Sequence, residues 1–362
     1  MHTRGTKLLR MLSILVILSL LGVMAPAPGW ADEQPDPKIA PHLWGVMQQD
    51  WTRAYPVIVQ GSEGVVEAVQ KHGGKITADL YIIKGVATTL TPPAILALAK
   101  EPAVTRISLD REVSLTSTGL EAGLVVGYTT AKRRNKLPDT IYPLAVGADQ
   151  VWAQGIYGTG VTVAVIDTGI TPSIRTLRKG IDGRKRYLAS YNPVNGRKVK
   201  RDPNGHGSFV AGIIANSAVG PSGRYLGIAP NANLVAVRAL DREGKGRYSR
   251  VIAGIQWAIE HKDEYNIRVM NLSLCAPVVT FYWLDALDQA VEAAWQAGIV
   301  VVVAAGNGGP HLGTITVPGD SPYVITVGAL KDLNRTPLDF SDDIIPEWSS
   351  VCLLYTSPSP RD

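Results

Sequence analysis

Three polar residues stand at positions where their side chains could perform hydrolytic chemistry. Asp167 follows the apolar run in "VAVIDTG", and Asn307 follows the apolar run in "VVVVAAGN". His206 lies in "PNGHGS", directly before a stretch of small and apolar residues that is typical of a helix. An imidazole can move protons, a carboxylate can orient the imidazole, and a side-chain amide can stabilise an oxyanion.

None of these three residues is diagnostic by itself. Asp-Thr-Gly after a strand is commonly a turn, a loop histidine is more often structural, and Asn-Gly-Gly is a common turn. The prediction of a hydrolytic site therefore depends on whether the fold brings the three side chains to the same place.

The segments around these residues alternate between strand and helix patterns. The strand patterns are "GVTVAVIDTG", "NLVAVRAL", "IRVMNLSL", "IVVVVAAGN" and "YVITVGAL". The helix patterns are "GHGSFVAGIIANS", "YSRVIAGIQWAIEHKDEY" and "WLDALDQAVEAAWQAG". This alternation predicts an α/β fold with a doubly wound, mostly parallel sheet that is covered on both faces. Catalytic groups are expected at the carboxyl ends of its strands.

This part of the chain resembles the subtilisin-like serine proteases, the subtilase family. The matching pieces span residues 158–350 and are "GVTVAVIDTGI", "DPNGHGSFVAGIIA", "YLGIAPNANLVAVRAL", "IAGIQWAI", "VMNLSL" and "VVVVAAGN". The Asp and His motifs, in this order, are the most specific part of the resemblance.

The resemblance implies a role for each of the three polar residues. Asp167 is the acid that holds the imidazole, and His206 is the general base and then the general acid to the leaving amine. Asn307 donates its side-chain amide to the oxyanion, and the loss of such a donor costs about 3–4 kcal/mol of transition-state stabilisation.

The resemblance also implies two walls for a substrate cleft. One wall is "LSLC" and the other is "GKGRYS", and both can pair with an extended peptide as added strands. The implied substrate-binding residues are Gly246, Arg247, Tyr248, Leu272, Ser273 and Leu274.

Three positions depart from the family pattern. Ser208 and Phe209 stand where Thr and His are usual, so we expect the hydroxyl to be kept and Phe209 to pack. Cys275 stands where Gly is usual, either as a reactive thiol beside the cleft or as a small buried apolar residue. The other cysteine is Cys352, and no disulfide is predicted.

The implied chemistry requires no cofactor. The family often carries structural calcium, but no carboxylate-rich loop with clear ligand spacing occurs here, so no metal site is predicted. The expected partners are polypeptide substrates and the protein's own propeptide, and a monomer is expected. The net charge of +5 gives no reason to expect a nucleic-acid partner.

Residues 54–110 carry a second, smaller pattern. Strand and helix signals follow in the order β-α-β-α-β, and "KITADLYIIKGVATTL" is either one long strand or a hairpin. This predicts a small α+β, ferredoxin-like module. Subtilisin-like proteases commonly carry an inhibitory propeptide of this type, so residues 32–135 are interpreted as a propeptide and 136–351 as the catalytic domain. The alternative is an independent binding module.

The N-terminus predicts a secretory signal peptide over residues 1–31. Basic residues precede the apolar stretch Met11–Met24, and cleavage is expected after Ala27 or Ala31. Fourteen residues are too few to span a bilayer, which needs about 20. We therefore expect a secreted protein without a stable membrane anchor.

The sequence contains no Gly-Thr-Ser-Met-Ala-like segment that could supply a nucleophilic serine. Ser349 and Ser350 in "EWSSV" do not match, because no glycine precedes them and no small-residue helix follows. Residues 352–362 resemble one reading frame of a transposase-type sequencing adapter; the alternative is a natural Ser/Pro-rich terminus. We therefore expect a catalytic domain that is truncated before its serine, with an incomplete sheet.

Two functional hypotheses follow. In the first, the parent gene encodes a secreted serine endopeptidase with a Ser-His-Asp acyl-enzyme mechanism, and the chain as written is inactive. In the second, the protein is a non-catalytic, propeptide-type protease-binding or inhibitory protein with a dead catalytic scaffold. The retained Asp167, His206 and Asn307 favour the first hypothesis.

Overall fold

The computed structural model of the chain describes residues 36–115, 140–333 and 339–352. The predicted signal peptide and residues 353–362 of the predicted adapter segment lie outside the described residues. The described residues from Lys38 onward belong to one compact unit. In the described ranges, no helix has both the length and the apolar character needed to cross a membrane.

Helices and strands follow one another closely along the described chain. The strands β1 to β12 are, in order, Tyr55–Gly61, Ala78–Leu80, Gly85–Leu90, Val104–Leu109, Glu112–Ser114, Thr162–Asp167, Tyr187–Tyr191, Asn233–Arg238, Lys245–Arg247, Ile267–Leu272, Val300–Ala304 and Ile325–Val327. The helices α1 to α10 are, in order, Pro41–Gln49, Val65–Lys71, Pro92–Ala99, Tyr142–Ala145, Ala148–Ala153, Arg175–Arg178, His206–Ala215, Tyr248–Glu260, Lys262–Tyr265 and Ala286–Gln296.

The first part of the fold is an antiparallel sheet with the strand order β2-β3-β1-β4. The segment that could be one long strand or a hairpin is β2 and β3, separated by a 3₁₀ turn over Tyr81–Ile83. Helices α1, α2 and α3 pack on one face of this sheet, around buried residues such as Leu43, Val69 and Leu98. We call this part, residues 38–109, the N-terminal module.

The second part is a parallel sheet with the strand order β12-β11-β10-β6-β8-β7. Strand β6 lies inside the sheet, and the chain adds β7 and β8 on one side of it and β10, β11 and β12 on the other. The prediction of a doubly wound, parallel α/β sheet is therefore confirmed. The reversal of strand order at β6 creates the crevice in which such folds place their functional groups.

Both faces of this sheet are covered, and β6 is apolar at each position from Val163 to Ile166. Val163 and Val165 face one cluster of buried residues, which includes Ala211 of α7. Ala164 and Ile166 face a second cluster, to which α8 and α10 contribute. Successive side chains of a strand point to opposite faces, so this near-continuous apolar run forms two cores.

The N-terminal module packs on α8 and α10 through the second face of its sheet. Ile58 and Ala87 join the same buried cluster as the apolar residues of these two helices. Polar contacts flank this surface. Gln60 Nε2 donates to Gln289 Oε1 at 2.6 Å, and Tyr81 Oη donates to Glu260 Oε1 at 2.9 Å.

The predicted elements differ from the observed ones at several places. Helix α1 was not predicted, although Leu43 and Met47 on it are fully buried. The helix predicted over residues 248–265 ends at Glu260 and continues as the short helix α9. The strand predicted over residues 323–330 is reduced to β12.

Arg186 connects helix α6, the end of helix α7 and the residue before strand β8. Its side chain is 2% exposed and donates to the carbonyl oxygens of Thr176, Ala215 and Ala232, the last at 3.0 Å. Burial lowers the pKa of Arg186 to about 10. Because this value is still well above 7, the guanidinium carries its charge at neutral pH. It holds the end of α7 against the sheet.

The substitution Arg186→Ala is expected to lower the free energy of unfolding by about 3 kcal/mol or more, because three buried carbonyl groups lose a charged donor. Chemical denaturation of the chain measures this change. Arg186→Lys is the matched control and should lose less, because it keeps the charge and can reach part of the carbonyl set. A change below about 1 kcal/mol for Arg186→Ala would contradict this role.

Candidate active site

Asp167 ends the central strand β6, and its carboxylate is fully buried. Thr168 N donates to Asp167 Oδ1 at 2.7 Å, which satisfies part of the charge. The Asp167 carbonyl oxygen accepts hydrogen bonds from Ala239 N and Leu240 N, which tie the end of β6 to the chain that follows β8. Backbone amides therefore hold both the carboxylate and the main-chain carbonyl group of Asp167.

His206 begins helix α7 and faces this carboxylate. Its Nδ1 lies 2.9 Å from both Oδ1 and Oδ2 of Asp167. This geometry assigns the proton to Nδ1, where it is donated to the carboxylate, and leaves Nε2 as a base. The His206 side chain is 23% exposed whereas the Asp167 side chain is 0% exposed, so the imidazole is the accessible member of the pair.

A second carboxylate, Asp202, holds the loop before the histidine in place. Its Oδ1 accepts from Thr168 Oγ1 at 2.8 Å and from Gly205 N at 2.9 Å, and its Oδ2 accepts from Ser208 N at 2.8 Å. Thr168 Oγ1 in turn accepts from Gly207 N at 3.0 Å. Asp202 and Thr168 are positioning residues that the sequence reasoning missed. Asp202 lies four residues before His206, outside the N-cap position that Gly205 occupies, so no capping signal in the sequence located it.

Gly207 allows α7 to approach the end of β6 closely. A Cβ atom at this position would lie 2.2 Å from the Gly169 carbonyl oxygen and 3.1 Å from Asp167 Cβ. No side chain fits in that space, so the glycine after His206 is required for the Asp167–His206 contact rather than for a turn.

The electrostatics of the pair make His206 more basic than a free histidine. Burial alone lowers the pKa of His206, but the hydrogen bond and charge of Asp167, with the charge of Asp202, outweigh burial and raise the pKa above its ordinary value. The proton that Nε2 accepts is thereby stabilised.

Asn307 follows strand β11, and β11 is separated from β6 by β10 alone. Because all three strands are parallel, Asn307 and Asp167 lie at the same edge of the sheet. Ser350 N donates to the Gly306 carbonyl oxygen at 3.0 Å, so the chain around Ser350 lies against this loop.

The two serines of "EWSSV" are buried and already hydrogen-bonded to backbone amides. Ser349 Oγ accepts from Ala329 N at 3.1 Å, and Ser350 Oγ accepts from Gly308 N at 3.0 Å. Ser349 is 1% exposed and Ser350 is 3% exposed. Neither therefore has the exposed position that a nucleophile needs.

A short strand from the N-terminal part of the chain occupies the groove beside this edge. Strand β5 pairs antiparallel with β9, with Glu112 opposite Arg247 and Val113 opposite Gly246. On its other side, Ser114 N donates to the Cys275 carbonyl oxygen at 3.0 Å, and Cys275 N donates to the Ser114 carbonyl oxygen at 2.9 Å. An extended peptide thus completes a three-stranded arrangement. We call this groove, between residues 244–247 and residues 274–276, the cleft.

The six residues predicted to bind substrate fall into two groups. Gly246 and Arg247 pair directly with β5, and Leu274 shares a buried cluster with Val113, so these three line the cleft. The other three are placed differently. Leu272 and Tyr248 are buried in that same cluster, and Tyr248 also accepts a hydrogen bond from Arg111, the residue before β5, at 3.0 Å. Ser273 Oγ accepts from Asn271 Nδ2 at 2.9 Å.

The residues that depart from the family pattern have simple surroundings. Ser208 Oγ accepts from Thr171 N at 3.0 Å, so the hydroxyl is used as expected. Phe209 is 55% exposed, and the expectation that it packs is wrong because its side chain points away from the sheet on the outer side of α7. Burial raises the pKa of the Cys275 thiol to about 11, which favours the unreactive form at neutral pH. Neither Cys275 nor Cys352 forms a disulfide.

One group of carboxylates in the described ranges brings ligand atoms close enough to share a cation. Asp332, Asp342 and Asp343 have oxygens within 4.8 Å of one another. This group was not predicted from the sequence, because nine residues separate Asp332 from the other two carboxylates. Exposed acidic side chains commonly cluster without an ion, so the group does not establish a metal site.

A family model described as the Subtilase family (peptidase S8) matches residues 158–354. The matched range contains Asp167, His206 and Asn307 and covers more than half of the chain. The chain belongs to the subtilase family, which is the class that the sequence resemblance implied.

Individual relatives agree with this assignment. The chain is 36% identical to the serine protease AprX of Bacillus subtilis over 292 residues, which cover 78% of this chain and 59% of that protein. It is 41% identical to subtilisin DY of Bacillus licheniformis over 219 residues, which cover 59% of this chain and 73% of that protein. The chain thus spans about three fifths of the length of AprX.

The fold is similar to that of fervidolysin from Fervidobacterium pennivorans, a keratinolytic enzyme related to subtilisin. The two structures superpose with a TM-score of 0.59 and 23% sequence identity, over 82% of this chain and 45% of that chain. At this identity the similarity establishes the fold.

The contacts of His206 with Asp167 predict that its imidazole titrates at a raised pKa. In an NMR pH titration of the chain, the pKa of the His206 imidazole should lie above its ordinary value of about 6.5. With Asp167→Asn the pKa should fall, because burial remains while the charge of the partner is lost. The ion pair's contribution to stability should be present below the unfolded-state pKa and disappear as pH rises through the raised pKa. An unchanged pKa in Asp167→Asn would contradict the pairing.

The close approach at Gly207 predicts a position-specific effect within one helix. Gly207→Ala should lower the free energy of unfolding by about 1–3 kcal/mol, because the added methyl group has no space. Gly212→Ala is the matched control in the same helix. Nothing lies within 4 Å of its added Cβ, so it should be neutral or stabilise by up to about 1 kcal/mol. Thermal denaturation distinguishes the two, and equal effects would contradict the packing.

Proposed function

We propose that the protein is a secreted serine endopeptidase that hydrolyses peptide bonds through an acyl-enzyme intermediate. The observation that carries this proposal is the pairing of His206 Nδ1 with the buried Asp167 carboxylate at 2.9 Å, beside a cleft that accepts an extended peptide strand. The similarity to AprX and the subtilisins supports it. No cofactor is part of the proposed chemistry.

In the proposed first step, His206 Nε2 removes the proton of a serine hydroxyl while that oxygen bonds to the carbonyl carbon of the substrate. Asp167 holds the imidazole in orientation and stabilises the imidazolium that forms. The electron pair of the carbonyl π bond moves to the carbonyl oxygen, and the Asn307 amide donates a hydrogen bond to that oxyanion. The intermediate collapses, the C–N bond breaks, and His206 gives its proton to the leaving amine. Water then releases the acyl group by the same route.

The proposal assigns the nucleophile to sequence beyond residue 351. Ser349 and Ser350 are poor candidates because both hydroxyls are buried and bonded to backbone amides. The chain as written should therefore be inactive, and residues 352–362 are proposed to derive from an adapter. Residues 1–31 are proposed to direct secretion and to be removed.

Residues 32–135 are proposed to be an inhibitory propeptide. Two contacts support this role. The N-terminal module covers helices α8 and α10, and β5 fills the cleft with main-chain hydrogen bonds on both sides. While β5 remains there, another peptide cannot pair with Gly246 and Cys275.

The second candidate function is a non-catalytic, protease-binding or inhibitory protein with a dead catalytic scaffold. It is favoured by the lack of an exposed serine partner for His206 among the described residues. It does not account for the Asp202 and Thr168 network, which positions an imidazole that such a protein would not need.

The test is proteolysis by the secreted product of the complete gene. That product should hydrolyse casein, and a serine-directed phosphonyl fluoride should abolish the activity. Asp167→Asn should lower kcat by about 10⁴-fold, because the imidazole loses its correct tautomer. The chain ending at residue 362 is the negative control. Absence of hydrolysis, or hydrolysis that resists the reagent, would contradict the proposal and favour the second candidate.

A further inference from the structure

Besides Val113, the cleft buries the side chain of Arg111, which lies two residues earlier in the chain. Side chains alternate along β5 and the residue before it, so Arg111 points to the same side as Val113, into the domain that carries the parallel sheet. Val113 is 1% exposed and Arg111 is 8% exposed. Both side chains of the strand are therefore held by the cleft, whereas Glu112 between them is exposed.

The Arg111 guanidinium meets three groups of the opposite domain. Its Nη1 donates to Tyr248 Oη at 3.0 Å and lies 3.3 Å from Asp285 Oδ2, and its Nη2 donates to the Pro277 carbonyl oxygen. The guanidinium carbon also lies 5.1 Å from the centre of the Tyr248 ring. We call Tyr248, Pro277 and Asp285 the arginine pocket.

Two of the three pocket residues are fixed at the N-termini of helices. Tyr248 is the first residue of α8, and its hydroxyl lies 3.2 Å from Asp285 Oδ2. Asp285 caps α10 by accepting from Leu287 N at 2.9 Å through Oδ1. One carboxylate oxygen is thus used by the helix, and the other remains for the guanidinium.

A second buried acidic residue, Asp288, interacts electrostatically with Asp285. Asp285 is 3% exposed, and Asp288 is 1% exposed with neither carboxylate oxygen hydrogen-bonded in the described structure. Burial, and then the charge of Asp285, raise the pKa of Asp288 well above its ordinary value, which favours its uncharged form. The carboxylate that the guanidinium meets is therefore that of Asp285.

The arrangement suits arginine better than lysine. A planar guanidinium can donate to a hydroxyl, a carboxylate and a carbonyl oxygen at once while it stacks on an aromatic ring. A lysine ammonium is a point charge that lacks the planar fork. The pocket therefore recognises shape as well as charge.

We infer that the arginine pocket is a specificity subsite of the cleft, which selects arginine two residues N-terminal to the residue that occupies the Val113 position. For substrates, the inference rests on the proposed endopeptidase function. For β5, which the cleft already holds, it rests on the contacts of Arg111. Within the protein's own chain, Arg111 uses this subsite to hold β5 in place.

The substrate arm of the test uses the secreted product of the complete gene and peptides that contain Arg-Glu-Val-Ser-Leu-Thr. In matched peptides the arginine is replaced by citrulline, which keeps the shape without the charge, or moved by one residue. The arginine peptide should have a kcat/KM about ten-fold or more above the citrulline peptide, since charged hydrogen bonds are lost. In Asp285→Asn this ratio should fall towards one. Equal kcat/KM values in the unaltered protein would overturn the subsite.

A second arm uses the 362-residue chain and needs no activity. Hydrogen exchange is measured at the amides of Ser114 and Leu115, which donate to the carbonyl oxygens of Cys275 and Gly244. Arg111→Ala should speed their exchange about ten-fold or more. Glu112→Ala, whose side chain contacts only the exposed Lys245 in the described structure, is the matched control and should not. Unchanged exchange at Met270 in β10 would show that the sheet remains folded.

The two arms separate failure of the subsite from failure of the endopeptidase function. If no peptide is cleaved, the proposed function fails, and the exchange arm still decides whether the pocket holds Arg111. If Arg111→Ala leaves the Ser114 and Leu115 amides unchanged, the inference is overturned in either case.

Discussion

The structure depends on keeping one carboxylate buried without leaving it unsatisfied. Asp167 is fully buried at the end of an apolar strand, where an isolated charge would be strongly unfavourable. The backbone amide of Thr168 and the imidazole of His206 compensate this cost. To bring the imidazole there, α7 must begin at His206, its second residue must be glycine, and Asp202 must hold the preceding loop. The local sequence "DPNGHG" is the consequence of that single requirement.

The same parallel sheet also supports the strand that fills the cleft. Helices α8 and α10 cover one face of the sheet, and their N-termini lie beside the cleft. Asp110, the residue between β4 and Arg111, accepts from Ser249 N at 2.9 Å and from Ser249 Oγ at 2.7 Å. Its carboxylate thus satisfies the N-terminus of α8, while Arg111 meets Asp285 at the N-terminus of α10. Two oppositely charged neighbours anchor the strand that fills the cleft.

Much of this fold could be predicted from local patterns, and the parts that could not are set by distant contacts. Strand β6 is readable because a buried parallel strand must be apolar on both faces. Strand β5 is not, because Glu112 and Ser114 are polar and become a strand only through pairing with β9 and Cys275. Arg111 and Asp285 are separated by 174 positions in the chain, so no spacing rule could join them.

For the site, the motifs located Asp167 and His206, but their support was found only in three dimensions. Thr168 looked like a turn residue, yet its hydroxyl links Asp202 to Gly207. Tyr248 belongs to a segment that lines the cleft, and the turn into α8 carries its side chain inward to the arginine pocket. A motif therefore identified the right segment and left the direction of the side chain undetermined.

In the proposed mechanism the Asp167–His206 pair acts on a serine hydroxyl, and no serine of the described residues lies exposed beside His206. Sequencing the genomic DNA through codon 351 and onward to the stop codon decides whether such a serine follows. An in-frame Gly-Thr-Ser segment followed by small, helix-forming residues is expected. An in-frame stop, or a continuation without that segment, would show that the pair has no such serine.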